Sequence, residues 1–486
     1  MDMEDFEFGF YDSAERHASD ALSLYEDGKI TQALARLDKA IEANPMNSSW
    51  HFNKALMLDS AGRFKEAITQ YETALQLNPN DLEALNCLAM DYTRTCQYDL
   101  AISTFEDIES MNPLFEPCYC NRVITYTETC QHDLAEQMFY LAQQIEPNCP
   151  LCFYNIGNSL FIRGLYAKAV RCWLRTAELD EKHPQINYRI AQAYWCMGDI
   201  RLARKHFLAE LRVNPGDVDV ILDFGLLLLE INERDSAREK FNRALELKDD
   251  CAAAFFYLGE IMMEENRGPQ ASELFRKALE KNGELKGPRY RLAQQALAAG
   301  NTEQASTHLA NELYLEPEDG NVLYSMGLMF LYIAAAAKAA KQDFIRDNLD
   351  NAQKCLRRTI QADLHKQKVN ASWLRDSGHA YHYLAISSAM KGQFQNACEQ
   401  LENALDIRPA DIGILVDAGL VNAATGRRRR AVHCIAKALR QRPHSLRLHA
   451  LSGRMAAAEL MRKLRRRKEK GKRIDQDHFF AAKKWS

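Results

Sequence analysis

Cysteine is the residue type through which this chain could most readily do chemistry. The sequence has thirteen cysteines, and nine of them fall within Cys87–Cys196. A C-x-x-C pair stands at Cys149 and Cys152, and Cys118 and Cys120 precede it in the chain. Four thiolates of this kind could form a tetrahedral zinc site, with each sulfur about 2.3 Å from the metal. The alternative is that these thiols remain reduced and pack as small apolar side chains.

No other set of residues has the spacing of a catalytic site. The sequence contains no G-x-S-x-G, no glycine-rich phosphate-binding loop and no H-E-x-x-H. His379 and His382 share a predicted helix face, but no carboxylate or nucleophile stands at a fixed spacing from them. We therefore predict a non-enzymatic protein that needs no cofactor.

A repeat determines the elements that must position these residues. From Ala14 to Asp319, a pattern of 34 residues recurs nine times without insertion or deletion. Position 8 is small in eight units and position 24 is large and apolar, while proline at position 32 is predicted to end the second helix of each pair. Small residues allow two helices to cross closely, and the bulky residue fills the space between pairs. Position 20 is alanine in every unit: Ala33, Ala67, Ala101, Ala135, Ala169, Ala203, Ala237, Ala271 and Ala305.

This pattern resembles the tetratricopeptide repeat family, whose unit is a helix–turn–helix pair. The resemblance covers nearly the whole chain and implies an all-α fold, an α-solenoid of antiparallel helix pairs stacked into a superhelix. Asp81, Asp217 and Asp319 follow the helix-ending prolines, so we predict that each caps the next first helix. Val123 replaces the small residue at position 8 of the fourth unit and predicts a slightly opened helix pair there.

The repeat register argues against a metal site. Cys118 and Cys152 occupy equivalent positions in neighbouring units, so they should lie about one helix spacing apart, roughly 8–10 Å. We therefore expect no bound metal and reduced, buried thiols. Disulfides are still less expected, because the N-terminal sequence has no secretion signal.

The register breaks once after Asp319 and then recovers. About 24 residues are inserted around 334–349 and 366–377, and the alanine-rich 334–340 is predicted to extend the first helix of that unit. We predict about twelve units. The predicted segments are an acidic N-terminal segment (1–13), nine contiguous units (14–319), an irregular unit (320–377), two regular units (378–445), a basic capping helix (446–473) and a C-terminal tail (474–486).

The resemblance also suggests a binding surface, because the first helices of this family line a concave groove. Position 5 is aromatic in most units, and asparagine or glutamine recurs at positions 6 and 9. Aromatic rings supply apolar contact, and an asparagine amide can donate to and accept from one peptide unit. The resemblance thus implies a scaffold or adaptor that binds a partner protein as an extended peptide, although these aromatic residues could instead pack against the next unit. The predicted peptide-binding residues are Phe52, Asn53, Asn86, Asn121, Tyr154, Asn155, Asn158, Phe161, Tyr188, Gln192, Trp195, Phe256, Tyr290 and Tyr324.

Charge is concentrated at the C-terminal end. Residues 427–486 hold 20 Lys and Arg against 4 Asp and Glu, a net charge of +16. The whole chain has a net charge of −4, so residues 1–426 carry a net charge of −20. Three interpretations stand: a solvated cap, a contact with nucleic acid or another polyanionic surface, or self-association with the acidic body. The candidate polyanion-binding residues are Arg427, Arg428, Arg429, Arg430, Arg465, Arg466 and Arg467.

Location and context follow from what the sequence lacks. The acidic N-terminus has no apolar core of a signal peptide, and the longest apolar run, Leu323–Ala337, has 15 residues. A membrane span needs roughly 20 residues. We therefore expect a cytoplasmic protein without a transmembrane segment. A further alternative is that the repeat array is the non-catalytic subunit of a larger enzyme complex.

Overall fold

The computed structural model describes residues 3–337, 342–369 and 377–454, and their side chains from residue 13 onwards except 363–369. These residues form helices joined by short turns, and none of them is in a strand. The chain divides into two compact units, Met1–Lys240 and Phe241–Ser486. Within each unit, successive helices pack as pairs. The predicted all-α solenoid is confirmed.

The first compact unit begins with a helix that starts at Met3. The acidic segment before Ala14 therefore continues directly into the first repeat. The division between the units lies within α14 (Arg234–Leu247). The helices before it are α1 (Met3–Glu26), α2 (Ile30–Ala43), α3 (Ser48–Ser60), α4 (Phe64–Leu77), α5 (Leu82–Arg94), α6 (Tyr98–Met111), α7 (Glu116–Glu128), α8 (His132–Ile145), α9 (Pro150–Ile162), α10 (Tyr166–Leu179), α11 (Ile186–Cys196), α12 (Ile200–Val213) and α13 (Val218–Glu230).

The second unit continues with the same helix pairs. Residues 446–454 are also helical, and the remainder of the predicted capping helix and the tail lie outside the described residues. The helices after the division are α15 (Ala252–Glu264), α16 (Gly268–Lys281), α17 (Pro288–Ala298), α18 (Thr302–Leu315), α19 (Gly320–Ala336), α20 (Gln342–Val369), α21 (Gly378–Met390), α22 (Phe394–Ile407), α23 (Ile412–Ala424) and α24 (Arg428–Gln441).

The two helices of a pair cross where the sequence predicted, at positions 8 and 20. All nine position-20 alanines are fully buried. A Cβ atom added to Gly157, at position 8, would lie closer than 3.0 Å to the ring of Trp173 at position 24 of the same unit. In the fourth repeat, Val123 takes up this space. Phe139 at position 24 of that repeat is only half-buried, whereas its counterparts in the other eight regular repeats are fully buried.

Helix ends follow local chemistry. The carboxylate of Asp81 accepts a hydrogen bond from the Ala84 amide at 3.0 Å, and Asp217 and Asp319 cap α13 and α19 in the same way. These three predicted caps are confirmed. At position 15, where the first helix ends, the backbone turns left-handed, which suits glycine. Two units place a cysteine there instead, Cys96 with φ 61° and Cys130 with φ 58°.

The irregular unit differs from the prediction in which helix receives the inserted residues. Its first helix, α19, has 17 residues instead of the usual 13, whereas its second helix, α20, has 28 instead of 14. Ala352 is fully buried and takes position 20, so α20 extends by seven residues beyond the regular helix at each end. The expectation that the first insert lengthens the first helix therefore holds only for its initial residues, and 338–341 are not described.

Candidate functional site

Three of the predicted peptide-binding residues are buried between successive first helices. Asn86, Asn155 and Tyr188 are each less than a tenth exposed. The Asn121 amide donates to the side-chain oxygen of Asn86 at 3.1 Å, one repeat earlier. The Asn155 amide donates to the backbone carbonyl of Cys120 at 3.0 Å. These amides therefore join neighbouring repeats within the chain.

Tyr188 and Gln192 converge on a carboxylate that the sequence did not reveal. The Tyr188 hydroxyl donates to Asp223 at 2.8 Å, and the Gln192 amide donates to the same carboxylate at 3.0 Å. Burial, followed by the hydrogen bond to Asp223, raises the pKa of Tyr188. One turn further along, the indole N–H of Trp195 donates to Glu230. Each partner stands one repeat later, a separation that no single-helix pattern displays.

A second group of predicted residues is less enclosed and retains polar groups without partners. Tyr154 and Phe161 are half-buried, with the Tyr154 ring 4.5 Å from that of His183 and the Phe161 ring against Trp173. In the part of the chain that the structure describes, the side-chain amides of Asn53 and Asn158 have no hydrogen-bond partner. These amides are available to another molecule.

One face of α9 exposes apolar side chains next to Asn158. Leu151 is 44% exposed and Ile162 is 60% exposed. Because a helix turns about 100° per residue, Leu151, Tyr154, Asn158 and Ile162 fall on one side of α9. We call these four residues the α9 stripe. Leu151 and Ile162 were not among the predicted residues, although their spacing from Tyr154 and Asn158 carried the signal.

The remaining aromatic candidates are half-buried against their own or adjacent repeats, and they are Phe52, Phe256, Tyr290 and Tyr324. The Phe52 ring lies 5.8 Å from that of Tyr71, and the Phe256 ring lies 5.8 Å from that of Phe275. Tyr290 accepts a hydrogen bond from Ser325 at 3.3 Å. The Tyr324 ring meets Tyr383 edge-on, and burial raises the pKa of Tyr324 to about 12. Packing within the chain therefore accounts for much of their contact.

His382, singled out in the sequence, has a carboxylate partner that the sequence did not indicate. Its Nε2 lies 2.8 Å from a carboxylate oxygen of Asp417, which stands 35 residues further on. The imidazole itself is buried. The pair joins α21 to α23 by the same repeat-to-repeat separation as Tyr188 and Asp223.

Two of the described arginines of the basic end, Arg427 and Arg430, already contact acidic and polar groups. Arg430 pairs with Glu402, and Arg427 donates to Gln395 at 2.9 Å while lying 3.9 Å from Glu402. Arg428 lies at the start of α24, and Arg429 is exposed. The other three candidates, Arg465, Arg466 and Arg467, lie outside the described residues.

The cysteines assemble differently from the pairing considered in the sequence. Cys118 is buried apart, with its thiol donating to the Phe105 carbonyl at 3.3 Å. The group that forms consists of Glu116, Cys120, Cys149 and Cys152, whose ligand atoms all lie within 4.8 Å of one another. We call it the Cys3Glu cluster. Sequence reasoning missed Glu116, although it precedes Cys120 by one helical turn.

Two parts of the chain match the sequence model of a known family. The sequence model of the family described as Tetratricopeptide repeat matches residues 8–81 and 222–284. No protein with a curated description matches the chain. No helix among the described residues is both long and apolar enough to cross a membrane.

The solved structures that match the chain share little sequence with it. The APC/C hetero-tetramer Cut9-Hcn1 is 13% identical, with 90% of this chain and 95% of that chain covered and a TM-score of 0.43. Yeast Tom70 is 14% identical, with 92% of this chain and 96% of that chain covered and a TM-score of 0.36. A tetratricopeptide repeat protein from Parabacteroides merdae is 17% identical over 54% and 99%, with a TM-score of 0.41.

The family match, the 34-residue register and the helix pairs agree with one another. Tetratricopeptide repeats form scaffolds of the kind that mediates protein–protein interaction, and proteins of the family are generally non-catalytic. The chain thus contains tetratricopeptide repeats, which the family model matches at residues 8–81 and 222–284.

Proposed function

We propose that this protein is a scaffold that binds a partner protein as an extended segment. The segment lies along the first helix of successive repeats in the first compact unit, Met1–Lys240, and is centred on the α9 stripe. The observation that carries this proposal is the exposure of Leu151 and Ile162 beside the unpartnered amide of Asn158. An apolar helix face is normally covered. A partner segment would cover it and satisfy the amide.

The stripe has the parts that peptide recognition requires. Leu151 and Ile162 provide apolar contact, and Tyr154 is held in place by His183, which reduces the entropy lost when a partner docks. The Asn158 amide can donate to one backbone carbonyl and accept from one backbone N–H. A segment bound in this way is recognised by its extended backbone and by apolar side chains.

The three buried residues among the predicted peptide-binding residues have a different role in this proposal. Asn86, Asn155 and Tyr188 fix the spacing of neighbouring first helices through hydrogen bonds inside the chain. Their truncation should reduce stability as well as binding. The exposed ends of the stripe offer a cleaner test, because their side chains contribute little to the core.

The test replaces Leu151 and Ile162 by aspartate together. The matched control is Leu174→Asp with Leu208→Asp, because these leucines are similarly exposed but lie on the second helices α10 and α12. Both variants should retain the wild-type circular dichroism. We expect the stripe variant to bind partners at least about tenfold more weakly, since an interface anchor contributes about 2 kcal/mol or more.

A photo-crosslinking amino acid provides the direct measurement of contact. Placed at residue 162 it should crosslink a specific partner protein in cells, and placed at residue 174 it should not. Nuclease treatment before capture should leave the product unchanged. Equal crosslinking from both positions would refute the proposal. Loss of the product on nuclease treatment would also refute it and would favour a nucleic-acid contact.

A further inference from the structure

The Cys3Glu cluster joins the first helices of two neighbouring repeats inside the first unit. Glu116 and Cys120 lie one turn apart on α7, so their side chains leave the same face of that helix. Cys149 is the N-cap residue of α9, and Cys152 lies in its first turn. All four residues are buried. The arrangement places three sulfurs and one carboxylate around a single point.

We infer that Glu116, Cys120, Cys149 and Cys152 bind one Zn²⁺ ion that holds α7 and α9 together. Thiolate and carboxylate are ligands that zinc accepts in tetrahedral sites, at about 2.3 Å for sulfur and 2.0–2.2 Å for oxygen. Four protein ligands leave no open position, which is typical of a structural site rather than a catalytic one.

The distances suit such a site without a change in the fold. Sulfur ligands about 2.3 Å from a tetrahedral centre lie about 3.8 Å from one another. The Cys152 sulfur and a Glu116 carboxylate oxygen are already 3.3 Å apart. Since every ligand atom lies within 4.8 Å of the others, the widest pair has to close by only about 1 Å. Rotation of the side chains provides that movement.

The neighbouring hydrogen bonds have the form of an outer shell. The Asn155 amide lies 3.5 Å from the Cys120 sulfur while donating to the Cys120 carbonyl, and the Cys152 backbone N–H donates to the Cys149 sulfur at 3.4 Å. Donors of this kind orient metal ligands and reduce the negative charge on sulfur. The buried position of Asn155 is explained by this role as well as by its contact with Cys120.

The buried carboxylate of Glu116 also lacks a positive partner. Among the described residues, no basic side chain forms an ion pair with Glu116. A divalent ion would balance the charge of this carboxylate and of the coordinating thiolates, and its binding would release the thiol protons.

Metal analysis of the purified full-length chain, kept reduced throughout, tests the inference. We expect one zinc per chain, and X-ray absorption at the zinc edge should show three sulfur ligands and one oxygen ligand. A chelator should remove the zinc and lower Tm, and added Zn²⁺ should restore both. Co²⁺ should substitute and give thiolate-to-metal absorption. Absence of zinc after reconstitution, or a Cys149–Cys152 disulfide in its place, would overturn the inference.

Variants locate the metal within the chain. Cys149→Ser with Cys152→Ser should abolish zinc binding and the cobalt absorption, and Glu116→Gln should weaken zinc binding at least about tenfold. Cys118→Ser is the matched control, because it removes a buried thiol from the same helix outside the cluster. Zinc retained in the double variant would show binding at other cysteines and refute the site. If the double variant does not fold, the wild-type X-ray absorption and chelator measurements decide alone.

Discussion

The substitution Gly157→Ala tests how closely the two helices of the fifth repeat pack. An added Cβ would lie closer than 3.0 Å to the ring of Trp173. That ring is fully buried, and its Nε1 donates to the Tyr154 carbonyl at 3.2 Å, so it has little freedom to move. The helices α9 and α10 must therefore separate to accept one methyl group.

The size of the effect follows from two opposing contributions. Overpacking a core costs about 1–3 kcal/mol, and the fixed indole places this case at about 3 kcal/mol. Alanine is favoured over glycine within a helix by about 1 kcal/mol. The net loss in the free energy of unfolding is then about 2 kcal/mol, which lowers Tm by about 4–8 °C for a unit of this size.

Thermal and urea unfolding followed by far-ultraviolet circular dichroism measure this loss. Other repeats combine alanine at position 8 with phenylalanine at position 24, as Ala191 does with Phe207. In a Trp173→Phe background, Gly157→Ala should therefore cost at least about 1 kcal/mol less. Gly268→Ala is the control, because beyond its chain neighbours and its own helix backbone no described atom lies within 4 Å of the added Cβ. If Gly157→Ala costs the same in both backgrounds, the close contact with Trp173 is not the cause.

Three further changes test other parts of the fold by thermal unfolding. Cys130→Gly relieves a left-handed conformation that costs a residue with a side chain about 1–2 kcal/mol, so Tm should rise, and an unchanged Tm would count against this. Asp217→Ala should cost about 1 kcal/mol by removing the cap of α13, whereas Asp217→Asn should retain most of it; equal losses would exclude capping as the cause. Burial raises the pKa of Asp91 from 3.8 to about 6, so the folded chain binds this proton more tightly, and the resulting stability is present at low pH and lost as pH rises through that interval. Asp91→Asn should reduce this loss, and an identical pH dependence in both proteins would contradict the assignment.

The sequence predicted the features that depend on one helix pair or one turn. Buried alanines at position 20 and caps such as Asp81 follow from local rules, because each involves residues at fixed positions of the repeat. The division of the insert between α19 and α20 did not follow. Helix propensity predicts helix for the alanine-rich stretch, but it does not show which of the two helices receives the inserted residues.

Contacts between repeats were the main part of the candidate site that the sequence could not provide. Tyr188 with Asp223 and His382 with Asp417 are both separated by 35 residues, one more than the repeat. Each residue alone has the character of an ordinary polar position on a first helix. The contact arises only when neighbouring repeats stack, so a motif search along one helix cannot find it.

The helix α9 belongs to both proposals, and this allows each to be tested without the other. Its stripe faces solvent through Leu151 and Ile162, while Cys152 is buried against α7. A change at the exposed ends of the stripe leaves the four metal ligands in place, so the Leu151→Asp and Ile162→Asp variant should keep its zinc while losing its partner. Loss of zinc in that variant would mean that the substitutions had moved the whole helix. A failed crosslink with zinc retained would then refute only the proposed binding surface.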